Sequence, residues 1–295
     1  MNGVLIVDKP SGLTSHDVVN RVRRILGQRS VGHLGTLDPS ATGVLPVVVG
    51  NLTRLSQFYS HAEKIYQGVI CFGFATDTYD AEGEPTTPRQ EVHLNFEEIG
   101  ALAARFQGII EQMPPQFSAK KIQGVPAYKL ARKHKPVTLK PVQVEIKEFE
   151  ILSTNSHQAT FRARVASGTY IRSIAHAMGE RLGCGAHLAS LRRTAVAEFS
   201  IEDAHNLQEL EDARQQGSAE SLFVHPRYLV PQLPSVTAND ESAALIRSGR
   251  AVNLPEMSRA PLVKVFYGQR ELIAIATRIA GTLFHPKIVF VNQAV

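Results

Sequence analysis

A single carboxylate, Asp38, sits in the stretch Gly32-His33-Leu34-Gly35-Thr36-Leu37-Asp38-Pro39, which continues through Ser40-Ala41-Thr42-Gly43. Glycines let a backbone turn sharply or come close to a ligand, while Pro39 fixes its own φ and restricts the residue before it. A lone aspartate in such a loop suits a nucleophile or base that must meet its substrate at a set angle. The neighbouring acids along the chain are Asp8 and Asp17 before it and Glu63 after it. They have no divalent-cation spacing, so phosphotransfer through a phosphorylated aspartate is set aside. Taken alone, an Asp-Pro beside glycine is a surface turn.

Other residues capable of chemistry stand in short, separate segments. Ser167-Gly168-Thr169-Tyr170-Ile171-Arg172 ends a strand and opens a helix. Gly168 permits the tight entry, and Thr169 is placed to cap the helix. A cation in a helix's first turn opposes the helix dipole, so a carboxylate partner makes better sense of Arg172 than solvent does. His33 alone reads as a hydrogen-bonded structural histidine. Tyr66, in Lys64-Ile65-Tyr66, reads as a strand tyrosine with its ring packed and its hydroxyl wet. Leu191, in Ala186-His187-Leu188-Ala189-Ser190-Leu191-Arg192-Arg193-Thr194, reads on composition as core. Lys9-Pro10 is an ordinary turn pair.

These residues must be held by a framework that the apolar pattern outlines. Asn2 to Val7 predicts a strand, followed by the turn Asp8-Lys9-Pro10-Ser11-Gly12. Ser15 is placed to cap a helix carrying Val18, Val19, Val22, Ile25 and Leu26, and Gly27 stops it. The run Val44 to Val49 predicts a buried strand, and Ile65 to Phe74 another. Asp77 to Pro88 is a polar connection, and Asn95 with Glu98 predicts a capping box for a helix through Phe106. Val142 to Leu152 and Gln158 to Val165 predict an antiparallel pair. A helix over Tyr170 to Leu182 places Ile171, Ile174, Ala175, Met178 and Leu182 on one face, and Gly183 ends it. The fold class is a mixed α/β (α+β) domain on a largely antiparallel central sheet. Around Pro231 to Pro234 the pattern changes to short strands, over 262–267, 272–277 and 287–291, which predict a small β-rich module. The domains are expected as 1–234 and 235–295.

Bulk properties narrow the function class. The chain has 295 residues, a net charge of +5 and 43% hydrophobic residues, ordinary for a globular protein. Its charge is unevenly spread. Lys120 to Lys140 holds seven Lys or Arg and no acid, and Arg162 to Arg193 holds six Arg against Glu180 alone. Two basic stretches flanking one site fit a polyanion lying across the protein. Met113 to Lys140, with four prolines, is a long loop of the kind that is usually functional or disordered. Cys71 and Cys184 are too far apart for a metal or redox motif and read as reduced structural thiols. No stretch approaches the span of a bilayer, and a cytoplasmic location is expected.

The Asp38 string, Lys64-Ile65-Tyr66, the Ser167–Arg172 segment, the Ala186–Thr194 segment and Lys9-Pro10 occur in the order found in the bacterial tRNA pseudouridine synthase B (TruB) family. The chain resembles that family over nearly its full length. The resemblance implies a pseudouridine-synthase catalytic domain followed by a small PUA-like RNA-binding β-barrel. It implies isomerisation of uridine 55 in the tRNA T loop, through base flipping and an essential aspartate. Asp38 becomes that aspartate, whether it attacks the sugar, attacks the base or removes a ribose proton. Arg172 becomes its partner, holding it ionised in a poorly hydrated cleft. Tyr66 stacks on the flipped uracil and takes part in catalysis, while His33, Tyr170, Leu191 and Lys9 bind substrate. Arg192 and Arg193 are expected to face RNA phosphates, and residues 113–140 to grip RNA. No cofactor or metal is expected, and the T arm of tRNA is the partner of a monomer. Leu34 and Ala197 depart from the family pattern. A different class, a tRNA-folding protein acting without chemistry, remains the alternative.

Overall fold

The computed structural model describes residues 1–115, 121–122, 125–126 and 139–290. The basic segment expected to grip RNA falls almost wholly outside the described residues.

The first strand, β1 (Gly3–Lys9), pairs antiparallel with β3 (Thr42–Val49), and β2 (Val31–His33) pairs antiparallel with β3 as well. Side chains alternate across a strand. Leu5 and Val7 therefore pack with Leu45, Val47 and Val49 on one face, while Val4 and Ile6 pack with Val44 and Val48 on the other. Both faces are covered, which is why Val44–Val49 reads as an unbroken apolar run. Helix α1 (Ser15–Leu26) covers the first of these faces through Val18, Val19, Val22 and Leu26. Its cap is Thr14, not Ser15. Thr14 has the extended backbone a cap requires, and it forms a reciprocal box with Asp17. Gly27 ends the helix in the left-handed conformation.

Strand β4 (Lys64–Phe72) lies further along the same sheet, and helix α2 (Phe96–Ala104) is capped by Asn95. Next come β5 (Gly108–Gln112), the short pair β6 (Lys121–Ile122) and β7 (Val125–Pro126), then β8 (Val142–Thr154) and β9 (Gln158–Val165). β8 and β9 form the expected antiparallel pair. Helix α3 (Ile171–Leu182) ends at Gly183 and buries Ile171, Ile174, Ala175 and Met178. Leu182, at its last position, is 41% exposed.

The segment 186–196 forms the long strand β10 (Ala186–Val196), with β11 (Phe199–Ser200) turned back upon it. The sheet order is β1-β3-β10-β4-β9-β8-β5, antiparallel throughout except where β10 meets β3 in parallel. The mixed α/β fold on a largely antiparallel sheet is thus borne out. Ala197, one of the two departures from the family pattern, sits in the β10–β11 turn at φ 49°, a conformation that favours glycine.

After α4 (Leu207–Gln215) the chain builds a second sheet. Its strands are β12 (Ser235–Ala238), β13 (Val252–Asn253), β14 (Leu262–Tyr267), β15 (Glu271–Ala280) and β16 (Leu283–Val289), with helix α5 (Asp240–Arg247) against them. The order is β12-β14-β15-β16-β13. No helix is long and apolar enough to cross a membrane among the described residues.

Candidate active site

The Asp38 loop bridges β2 and β3 and is gripped from behind. Arg193, on β10, has no exposed surface, and its guanidinium donates to the carbonyls of Val44 (2.8 Å), Thr36 (3.2 Å) and Gly35 (2.9 Å). Lys9, equally buried, donates to the carbonyls of Pro10 (2.8 Å) and Pro39 (3.0 Å). Ser15 reaches from α1 to both the N–H and the C=O of Leu37. Gly43 makes this packing possible. Its φ is 99°, and a Cβ there would stand 2.1 Å from the Arg193 carbonyl oxygen.

Two of the expected residues point away from the cleft. Lys9 is not among the residues lining it, and its ammonium turns inward to tie down the loop. Arg193, expected to face phosphates, is fully buried instead, and each of its three guanidinium nitrogens donates to a backbone carbonyl. Neighbouring Arg192 makes a two-pronged pair with Asp8 at 2.7 and 3.0 Å. The rest of the 162–193 stretch is not a free basic face either. Arg162 pairs with Glu148, Arg164 with Glu63 and Glu148, and Arg181 lies over the Phe106 ring.

Asp38 emerges on the floor of a cleft of about 350 Å³. His33, Lys64, Tyr66, Tyr170, Arg172 and Leu191 line it, so five of the sequence-predicted residues meet Asp38 in one place. Arg172 is 5% exposed, and its Nε lies 2.9 Å from Asp38 Oδ2. The Asp38 side chain is 38% exposed, with its open side toward the cleft. Burial raises its carboxyl above the usual carboxylate range. Arg172 opposes that shift, and the like charge of Asp80 adds to it. Arg172 is thus one of several groups acting on Asp38.

Asp80 went unnoticed in the sequence. It is 8% exposed, its Oδ2 lies 3.4 Å from the Arg172 guanidinium, and its Oδ1 accepts from Thr78 Oγ1 at 2.6 Å. Arg172 also donates to the Thr78 carbonyl at 3.1 Å. The available signal was the acidic run Asp77-Thr78-Tyr79-Asp80-Ala81-Glu82-Gly83-Glu84, read only as a polar connection. A second depression of about 520 Å³ lies on the far side, and Asp38, Asp80, Arg172 and Leu191 line it as well.

The cleft walls follow from the strands. Tyr66 is 7% exposed and opposes Arg193 across β4–β10, and its hydroxyl bonds no described residue. Leu191, half-buried, opposes Gly68. Tyr170, the N-cap residue of α3, is held at its backbone N–H and C=O by the Gln112 amide, and no side chain caps the helix. Thr169 instead donates back to Ala166. His33 accepts from the Gly35 N–H on Nδ1 at 3.3 Å, and burial with the nearby Arg193 charge lowers its pKa. A neutral ring with Nε2–H as its donor follows. Lys64 donates to the Ala62 carbonyl, and burial pushes its ammonium down to about 8. Among the described residues no group of three or more His, Cys, Asp or Glu is arranged to hold a metal ion.

Residues 23–171 match the family described as TruB family pseudouridylate synthase (N terminal domain), and residues 172–233 match the tRNA pseudouridylate synthase B C-terminal domain. A tRNA pseudouridine synthase B of Solibacter usitatus is 45% identical, covering 98% of this chain and 100% of that protein. The Aquifex aeolicus protein of the same name is 39% identical, covering 97% and 99%. Among solved structures, a chain of an H/ACA RNP bound to a substrate RNA containing 2'-deoxyuridine superposes with a TM-score of 0.72. It is 25% identical, covering 99% of this chain and 86% of that one. With the site assembled and both family domains matched in order, the chain belongs to the TruB family of pseudouridylate synthases.

Proposed function

We propose that this chain converts uridine 55 in the T loop of tRNA to pseudouridine, with Asp38 as the essential aspartate. One observation carries the reading: the Asp38 carboxylate meets the Arg172 guanidinium at 2.9 Å on the floor of an aromatic-walled cleft. The reaction breaks the bond between ribose C1′ and uracil N1, turns the base and joins C1′ to C5; C5 loses its proton and N1 gains one, so the product is an isomer. Nothing is oxidised or reduced, so the reaction requires no redox cofactor.

A loop uridine must leave its stack to reach such a cleft, and an extruded base is held by stacking and by hydrogen bonds to its edge. Tyr66 offers the ring, Tyr170 and Leu191 the walls, and His33 a donor beside them. Arg172 aims the carboxylate at the sugar–base junction and balances its charge. The relatives' shared name supports tRNA as the polymer, and the neighbour's bound substrate RNA supports RNA as its class. Residues 235–295 act as the PUA-like RNA-binding module, residues 113–140 grip the tRNA, and the protein works as a cytoplasmic monomer.

The test uses an unmodified tRNA transcript carrying tritium at uracil C5. Wild-type protein is expected to release tritium and place one pseudouridine in the T loop. Asp38→Asn is expected to bind tRNA and release none, a loss of at least about 10³-fold. Tight binding without release by the wild type would instead leave tRNA remodelling as the function.

A further inference from the structure

Besides Asp38, Arg172 contacts the two residues that flank one strained tyrosine. Thr78 supplies the carbonyl at 3.1 Å and Asp80 the carboxylate at 3.4 Å. Tyr79, between them, has φ 64°. A bulky residue in the left-handed region persists only where its surroundings over-determine it, and such strain gathers at functional sites. The backbone supplies part of the constraint. Tyr79 N–H donates to the Thr76 carbonyl at 3.3 Å, and its carbonyl accepts from Leu188 N–H at 3.0 Å.

The side chain supplies the rest. The Tyr79 ring lies flat on the His176 imidazole, with centroids 3.8 Å apart and planes 14° from parallel. His176 follows Arg172 by four residues on α3, one turn along the same helix face. The stack therefore ties the loop carrying Thr78 and Asp80 to the helix carrying Arg172. Hydrogen bonds contribute little to it. The Tyr79 hydroxyl bonds no described residue. The His176 Nδ1 is buried without a partner, and its Nε2 only approaches Glu180 at 3.5 Å.

We propose that the Tyr79–His176 stack is a positioning element for the reaction, setting the helix-to-loop spacing that lets Arg172 hold Asp38 and Asp80 together. This rests on Asp38 being the essential aspartate. Neither ring lines the cleft, so the stack acts through the groups it positions, Arg172 and Asp80.

Single-turnover tritium release and tRNA affinity are measured for Tyr79→Gly, Tyr79→Phe, His176→Ala and Asp38→Asn. Glycine adopts φ 64° freely, so Tyr79→Gly keeps the turn and removes only the ring. Tyr79→Gly and His176→Ala are expected to react about 10- to 100-fold more slowly with unchanged tRNA affinity. Tyr79→Phe, which keeps a ring to stack, restores the wild-type rate. A wild-type rate for Tyr79→Gly overturns the proposal, as does a slow Tyr79→Phe or a parallel loss of tRNA affinity. Thermal melts identify any variant that fails to fold, and the contrast of His176→Ala with Tyr79→Phe then decides. Tritium release by Asp38→Asn would overturn the underlying reading of the site instead.

Discussion

Asp38 shares its guanidinium partner with a second acid, and the sharing bears on its titration. Burial and the Asp80 charge push its carboxyl up, while Arg172 pulls it down. Asp80→Asn removes a like charge and frees Arg172 for Asp38, so both changes lower the Asp38 pKa. Under the proposed function Asp38 works as the carboxylate, so the acid limb of kcat/KM is expected to follow its deprotonation in the free enzyme. Asp80→Asn is therefore expected to move that limb to lower pH in tritium-release assays at several pH values. A limb that stays in place or moves up would show that Asp80 does not act on Asp38. The variant also loses part of the Arg172 grip, so its plateau rate should fall.

At the scale of elements, the site is a loop held between strands by buried cations that reach backbone carbonyls. Arg193 and Lys9 end no helix and face no solvent; their donors stand in for sheet partners that an irregular loop lacks. The β10–β11 turn behind Arg193 carries strain at Ala197, whose φ of 49° is unfavourable for any residue with a Cβ. Ala197→Gly relieves that strain but loosens the unfolded chain, and relief is the larger effect. A gain of up to about 1 kcal/mol in denaturant unfolding is expected. A loss would mean the turn tolerates alanine without cost.

Across the whole molecule, the two sheets share one apolar core. Val4, Ile6, Val44, Val48 and Phe199 of the first meet Phe266, Leu272, Ile275 and Ile288 of the second in a single cluster. A polar cluster crosses beside it. Tyr59 donates to Glu198 at 2.6 Å, and Glu198 accepts from Val230 N–H at 3.0 Å. Lys264 of β14 donates to the Arg227 and Leu229 carbonyls of the connecting segment. Such a junction is too apolar to part in water, so the two sheets should unfold together. Phe266→Ala is expected to lower the stability of the entire chain by about 3–5 kcal/mol. Calorimetry should show one transition in both proteins, and two separate transitions in the wild type would refute the shared core.

Local physics made much of the fold legible in the sequence. The Val44–Val49 run, the α1 stripe ending at Gly27 and the β8–β9 pair follow from side-chain period and from glycine's access to positive φ. The loop of Asp38 and the helix opening with Arg172 were equally visible, each as a separate segment. Their meeting was implied by resemblance, and of the partners around them only Asp80 left a trace, in the acidic run that holds it. Asp8 and Arg192 pair across 184 residues, and Arg172 reaches Thr78 across 94. A basic stretch read along the chain becomes paired or buried when other strands deliver their acids and carbonyls to it. Charge and hydrogen-bond partners are decided by proximity in space, and sheet order, which no local pattern encodes, sets that proximity.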